Sequence, residues 1–257
     1  MVQLAEMSWT DAEKLFRECD TVILPVGSTE QHGPHNPLGT DHLIAAAFSK
    51  VVGDRTGVPV LPVVPVGISE HHRQFPGTLW VPPDVFRDYM LSVALAASSH
   101  GPRKILFFNG HGGNTAALVE VAGALRRDYD VFAAVLMTFP PGVDGHAGSK
   151  ETSMNLFYHG HLVKMDRAVD QTQNTHLGTL PMTGIGGLGP IQFPWDTVDL
   201  TPTGVLGGAG KKIISTTATK KTGEEIMKPF TDEIVKLVEA IKAADADELL
   251  SKPHKAG

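Results

Sequence analysis

Lys104-Ile105-Leu106-Phe107-Phe108-Asn109-Gly110-His111-Gly112-Gly113-Asn114 is the stretch that decides the architecture. Residues 104–108 form an apolar run too short for a buried helix, and short runs of aromatic and aliphatic residues favour a strand. Three glycines follow within four residues and allow a sharp turn. Residues 115–127 then read as a helix. Strand, glycine turn and helix make the repeating unit of a parallel α/β sheet. The turn falls at the carboxyl end of its strand, where such sheets bind ligands, and it carries His111 there. An anion nest at the helix start is the competing reading, but the turn has neither the dinucleotide spacing nor the Lys-Ser/Thr pair of a phosphate loop.

The same grammar extends in both directions. Upstream, Thr21-Val22-Ile23-Leu24-Pro25-Val26 reads as a buried strand with Pro25 near its end, followed by a polar loop over 27–40 and a helix over 41–52. Residues 58–63 read as a further strand, with a loop through 83 and a helix over 84–99. Downstream, 131–137 is a fourth strand, leading through a Pro-Pro-Gly loop to a helix that starts near Glu151. A first helix spans 11–19 with Ser8 and Thr10 as candidate caps. Residues 171–210, rich in Gly, Thr and Pro, read as excursion loops. A last helix, capped by Thr222 with Glu225 three residues on, runs to 244. The expectation is one α/β domain over 1–257, its mostly parallel sheet flanked by helices on both faces.

Composition narrows the function classes. A net charge of -6 with no basic block argues against a nucleic-acid partner. The lone Cys19 excludes an intrachain disulfide, and the first residues carry no basic, apolar leader. No apolar stretch reaches the roughly 20 residues needed to cross a bilayer. These features lead to the expectation of a cytoplasmic protein with no membrane partner.

Chemistry collects in three loops that follow predicted strands. The first is Gly27-Ser28-Thr29-Glu30-Gln31-His32-Gly33-Pro34-His35, continuing to Thr40-Asp41-His42. A Glu-x-His pair offers an oxygen and a nitrogen close together, and an Asp at a helix start can bridge two cations with its two oxygens. Asp41 could equally be a plain helix cap. The second loop is the glycine turn with His111. The third is Asp144-Gly145-His146-Ala147-Gly148-Ser149-Lys150-Glu151, in which Glu151 could simply favour the helix dipole. Convergence of all three at one sheet edge favours a metal centre of Glu30, His32, Asp41, His111 and Glu151. Two imidazoles and three carboxylates suit zinc, manganese or iron better than calcium or magnesium. Bridged by Asp41, two divalent ions would stand about 3.5–4 Å apart and share a water acidified toward neutrality, a hydroxide nucleophile in waiting.

These residues resemble the creatininase family. The matching stretches are residues 24–33, Thr40-Asp41, Gly67 through Phe75-Pro76-Gly77-Thr78, Asn109 to Asn114, His146-Ala147-Gly148 with Glu151-Thr152-Ser153, and Gly204-Val205-Leu206-Gly207 with Ala218 and Lys221-Thr222-Gly223. The resemblance implies a creatininase-like three-layer sandwich, two divalent ions per subunit with zinc first and manganese or iron as alternatives, and a homohexamer. It places Glu30, His32, Asp41 and His111 on ligand positions and gives Glu151 as the fifth. It makes His146 the general acid for the leaving nitrogen, with His71 assisting. The loop holding Glu70 and Arg73, with Thr78 and Phe139, is expected to line the substrate pocket. Two departures stand out. Gly113 occupies a place where creatininase itself has a glutamate ligand, and Phe139 and Gly142 stand where it has tryptophans, which argues against creatinine as the substrate. The function implied is hydrolysis of a carbon–nitrogen bond, other than a peptide bond, in a small amide or cyclic amide. The alternatives are a carbon–carbon hydrolase opening a cyclic diketone, and a metal-binding scaffold that has lost catalysis.

Overall fold

The apolar runs Thr21–Val26, Lys104–Asn109 and Phe132–Met137 are strands β1, β2 and β3 of the computed structural model, which describes residues 2–143 and 145–250. They pair in parallel in the order β1-β2-β3, with Val22 opposite Ile105 and Ile105 opposite Ala133. Strands β1 and β2 are buried along their whole length, which is why they read as unbroken apolar runs instead of alternating ones. The helices, in chain order, are α1 (Trp9–Glu18), α2 (Thr40–Thr56), α3 (Pro83–Ser98), α4 (Thr115–Asp128), α5 (Ser149–His159), α6 (Thr197–Leu200), α7 (Lys220–Ala243) and α8 (Ala246–Leu249). No described helix is long and apolar enough to cross a membrane.

The two-residue pleat of the strands sorts their side chains into two cores. Val22, Leu24, Ile105 and Phe107 pack with Phe86 and Met90 of α3 and with Leu118 and Leu125 of α4. Ile23, Leu106 and Phe108 belong to the other core, with Phe48 of α2, Met154 of α5, and Phe230 and Ile234 of α7. Phe48 anchors that layer, its ring 5.7 Å from Phe108 and 5.3 Å from Phe230. The result is the expected three layers, with helices on both sheet faces.

Several local expectations change. Residues 58–63 do not form a regular strand. Their backbone runs parallel to β1 and meets it only at isolated bridges, Val60 to Ile23 and Val64 to Val26. Pro59, Pro62 and Pro65 lack the N–H groups that a continuous ladder needs, so only Leu61 and Val64 donate to β1 carbonyls, at 2.8 and 2.9 Å. Ser8 alone caps α1, accepting from the Asp11 amide, while Thr10 lies inside the helix. The cap of α7 is Thr219, which accepts from the amide of Thr222. Residues 171–210 are more ordered than loops: two-residue strands pair 176–177 with 180–181 and 187–188 with 191–192, and α6 follows. Asp144, at the head of the third chemical loop, lies outside the described residues.

Candidate metal centre

The five expected ligands meet beyond the carboxyl ends of β1 and β2. Glu30 and His32 come from the loop after β1, Asp41 from the first turn of α2, His111 from the turn after β2, and Glu151 from the first turn of α5. A Cβ on Gly110 would fall 2.3 Å from the carbonyl oxygen of Asp41, so the bare glycine lets α2 press onto the end of β2 and bring Asp41 to His111. All five ligands are buried.

Asp41 divides its oxygens between two groups. Oδ1 lies 3.0 Å from His32 Nε2, and Oδ2 lies 3.2 Å from His111 Nδ1. Glu30 Oε2 joins the second group at 3.1 Å from His111 Nδ1, and Glu151 Oε1 joins the first at 3.7 Å from His32 Nε2. Within each triad, Glu30-Asp41-His111 and His32-Asp41-Glu151, the candidate ligand atoms lie within 4.8 Å of one another. Glu30, His32 and His146 form a third such group. Both imidazoles are aimed by their other nitrogen. The hydrogen bond from His111 Nε2 to the Ile68 carbonyl, 2.9 Å, leaves Nδ1 free to ligate, and the bond from His32 Nδ1 to the Glu30 carbonyl, 3.2 Å, leaves Nε2 free.

The chemistry of the donor set fits divalent cations. Glu30 Oε2, His32 Nε2 and Asp41 Oδ2 are buried and, beyond these ion-pair contacts, make no well-aligned hydrogen bond, a costly arrangement unless another ligand satisfies them. Burial would raise the Glu30 carboxyl, but the imidazoles of His111 and His72 outweigh it and hold it well below the usual carboxylate range. Burial would lower His32, but Asp41 and Glu151 push it up to about 10. Glu30 and Asp41 likewise overcome burial to hold His111 well above its ordinary value. Glu151 is pushed up to about 7 by burial, which His32 only partly offsets. The carboxylates thus demand positive charge, which protons on the imidazoles or bound cations can supply.

Gly113 is explained by the same geometry. A Cβ there would stand 2.4 Å from both the Ile68 carbonyl oxygen and His111 Nε2, in the place of their hydrogen bond. No side chain at 113 can ligate while His111 is held this way. Glu151 fills out the second triad, its Oε2 accepting from the amide of Ala147. Ala147 has a φ of 58°, an unfavourable left-handed conformation for a residue with a side chain. Ser215 Oγ donates to its carbonyl at 2.7 Å.

His146 flanks the centre, its ring 4.1 Å from His32 and 4.7 Å from His72. Its Nε2 lies 2.7 Å from the Gln31 backbone carbonyl and 2.9 Å from the Gln31 side-chain nitrogen; the carbonyl can only accept, which places the proton on Nε2, while Nδ1 lies 3.9 Å from Glu30 Oε1. Burial and the charges of His32 and His72 hold it well below its ordinary value. His71 stacks on His111 at 5.8 Å and is pulled down to about 3 by burial and by His72.

The expected pocket residues separate. Glu70 is exposed. Arg73 forms a bidentate pair with Asp196, both bonds 2.6 Å, so its guanidinium fork is already engaged. Thr78 is buried and its hydroxyl accepts from the Gln31 amide at 3.3 Å, bracing the ligand loop. Phe139 packs with the core on the α7 side, lining a cavity of about 560 Å³ with Leu136, Phe230 and Leu237. Three contributors went unnamed in the sequence. His72 Nε2 lies 3.3 Å from Glu30 Oε1, and the side-chain nitrogen of Gln31 lies 2.9 Å from His72 Nδ1. Thr197 lies 2.5 Å from the same His72 nitrogen. The position of Gln31 between two ligands was an available signal, whereas the contact of Thr197 across 125 residues left none.

Comparison with known proteins identifies the family. The family described as Creatininase: Creatinine amidohydrolase matches residues 5–238. A mycofactocin precursor peptide peptidase from Mycobacterium tuberculosis is 31% identical over 91% of each chain. A creatinine amidohydrolase from Pseudomonas putida is 28% identical over 88% of this chain and 92% of its own. A creatininase variant complexed with creatine superposes with a TM-score of 0.78 at 26% identity, covering 95% of this chain and 99% of the other. Creatininases of the same fold, 25% identical, have been solved in zinc and manganese forms. With the family match spanning most of its length, the chain belongs to the creatininase family of hydrolases.

Proposed function

We propose that the chain is a divalent-metal-dependent hydrolase that cleaves the carbon–nitrogen bond of a small amide. The observation that carries this is the division of Asp41 between two triads, with Oδ1 toward His32 and Oδ2 toward His111. Glu30, Asp41 and His111 would hold one ion, and His32, Asp41 and Glu151 the other, with zinc or manganese the best match to the donors. Such ions, when bound, polarise a carbonyl and acidify water toward neutrality.

The protein supplies proton handling and orientation. With its Nε2 proton committed to the Gln31 carbonyl, His146 presents the lone pair of Nδ1 on the side of Glu30. Its depressed basicity makes it neutral at rest, so it takes up a proton before it can give one. It would accept a proton from the attacking water and pass it to the leaving nitrogen, a refinement of the general-acid role. Gln31 holds this relay in place, its side-chain oxygen accepting from the Gly33 amide at 2.9 Å. The peptidase relative brings a linear peptide amide within this reading, alongside the non-peptide amides expected from the sequence. Creatinine is disfavoured by Gly142, where a Cβ would meet nothing within 4 Å and which offers no ring of its own.

The test is turnover by zinc- and manganese-loaded protein on formamides, lactams, short peptides and cyclic diketones, with metal content measured on the same samples. Release of amine from an amide by loaded but not chelated protein is the expected result. Turnover confined to diketones, or two bound ions with no turnover of any class, would overturn it.

A further inference from the structure

Three consecutive residues of the excursion grip the 70–73 turn. The ring of Trp195 stands edge-on to His71 at 5.0 Å, Asp196 holds Arg73 through both carboxylate oxygens, and Thr197 donates to the His71 carbonyl at 2.9 Å. Three independent contacts over three residues fix this turn far more tightly than loop packing alone would. The Trp195 ring is fixed from behind as well. A Cβ on Gly186 would fall 1.8 Å from Trp195 Cδ1, so the indole lies in a notch that only glycine leaves open.

The consequence is a row of rings leading away from the ligands. His111 belongs to a metal triad, His71 stacks on it with an interplanar angle of 11°, and Trp195 follows edge-on to His71 at 77°. His71 and Trp195 are both only partly buried, so the outer part of the row keeps exposed surface. An edge-on pair of rings leaves an angle into which a third flat group can stack.

We propose that Trp195 is a specificity-determining residue: with His71 it forms the aromatic wall that receives a flat ring beside the scissile amide. This rests on the amide-hydrolase reading above and adds the substrate class, an amide flanked by an aromatic side chain. It also gives the chain an aromatic wall from the excursion, independent of position 142.

The probes are N-acetyltyrosinamide and N-acetylglycinamide, presented to zinc-loaded protein, with affinity read by calorimetry or as KM wherever a probe is turned over. Wild type should favour the aromatic probe about tenfold, the scale of one good ring contact plus its buried area. Trp195→Ala should bring that ratio close to one with zinc content unchanged, and Trp195→Phe should retain most of it. Equal affinities in wild type, or a ratio that survives Trp195→Ala, would overturn the proposal. The two readings separate cleanly. The expected ratio without hydrolysis of either probe counts against the amide reading and supports the wall, whereas hydrolysis without a ratio does the reverse.

Discussion

Strands β1, β2 and β3 are each six residues long and share one parallel ladder, whereas between residues 171 and 210 no strand exceeds two residues. The first region buries Phe48, Phe107 and Phe108 almost completely, while the second leaves Leu180 and Ile191 at 53% and 63% exposure. The candidate ligands sit on the first: Glu30, His32, Asp41 and His111 all follow strands whose positions are set by backbone hydrogen bonds and two cores. The second supplies no candidate ligand and touches the site from its edge, with Trp195, Asp196 and Thr197 on the 70–73 turn, the Gly204 carbonyl accepting from Gln31, and Leu206 in a two-way backbone bridge with His146. The division teaches that ligation, which needs tight placement, is assigned to the rigid framework.

The largest test of that division is catalytic. His111→Ala removes a framework ligand and should lose one equivalent of metal, with turnover falling to background. His146→Ala should keep its metal and lose about 10²–10⁴ in kcat, because only the proton relay is gone. Elemental analysis beside steady-state kinetics separates them, and equal metal loss in both would make His146 a ligand of the Glu30-His32-His146 group.

The next effect is on stability. Phe48→Ala should cost about 3–5 kcal/mol by denaturant unfolding, since it empties the centre of the core against Phe108 and Phe230. Ile191→Ala, exposed on the excursion, should change stability by less than about 0.5 kcal/mol. Similar costs for the two would erase the contrast between the regions.

A smaller effect concerns pH. Above the ordinary histidine range the depressed His35, His71 and His146 are neutral in both states, so the raised His32, about 10, and His111 make the folded chain without cations bind more protons than the unfolded one. The His32 contribution is complete below its unfolded value near 6.5, and it is lost as pH rises through about 10. Chelated protein should therefore lose thermal stability as pH rises from about 6.5 to 10. Zinc-loaded protein should not, because its imidazoles have already given up those protons to ligate. Melting temperatures that fall in parallel with and without zinc would contradict this.

Legibility in the sequence follows the same line. The buried strands were readable because unbroken apolar runs have few other fates, and the clustering of the five candidate ligands was readable because loops after strands carried His, Asp and Glu together. Residues 58–63 had the composition of a strand, but prolines at 59, 62 and 65 reduce their ladder to bridges, a distinction that a count of β-branched residues misses. Residues 171–210 carried no period to read, since each hairpin pairing spans only two residues, too few to show an alternation. Arg73 illustrates the limit: its charge was visible, but its pairing with Asp196, 123 residues away, was not.

The central claim is that one carboxylate serves two ions, and metal stoichiometry tests it most directly. Wild type and Asp41→Ala, each stripped with chelator, reloaded with zinc and desalted, should be compared by elemental analysis. The sharing of Asp41 between the Glu30-His111 and His32-Glu151 groups predicts two equivalents per chain in wild type and fewer than one in Asp41→Ala. An Asp41→Ala protein that keeps two equivalents would contradict it.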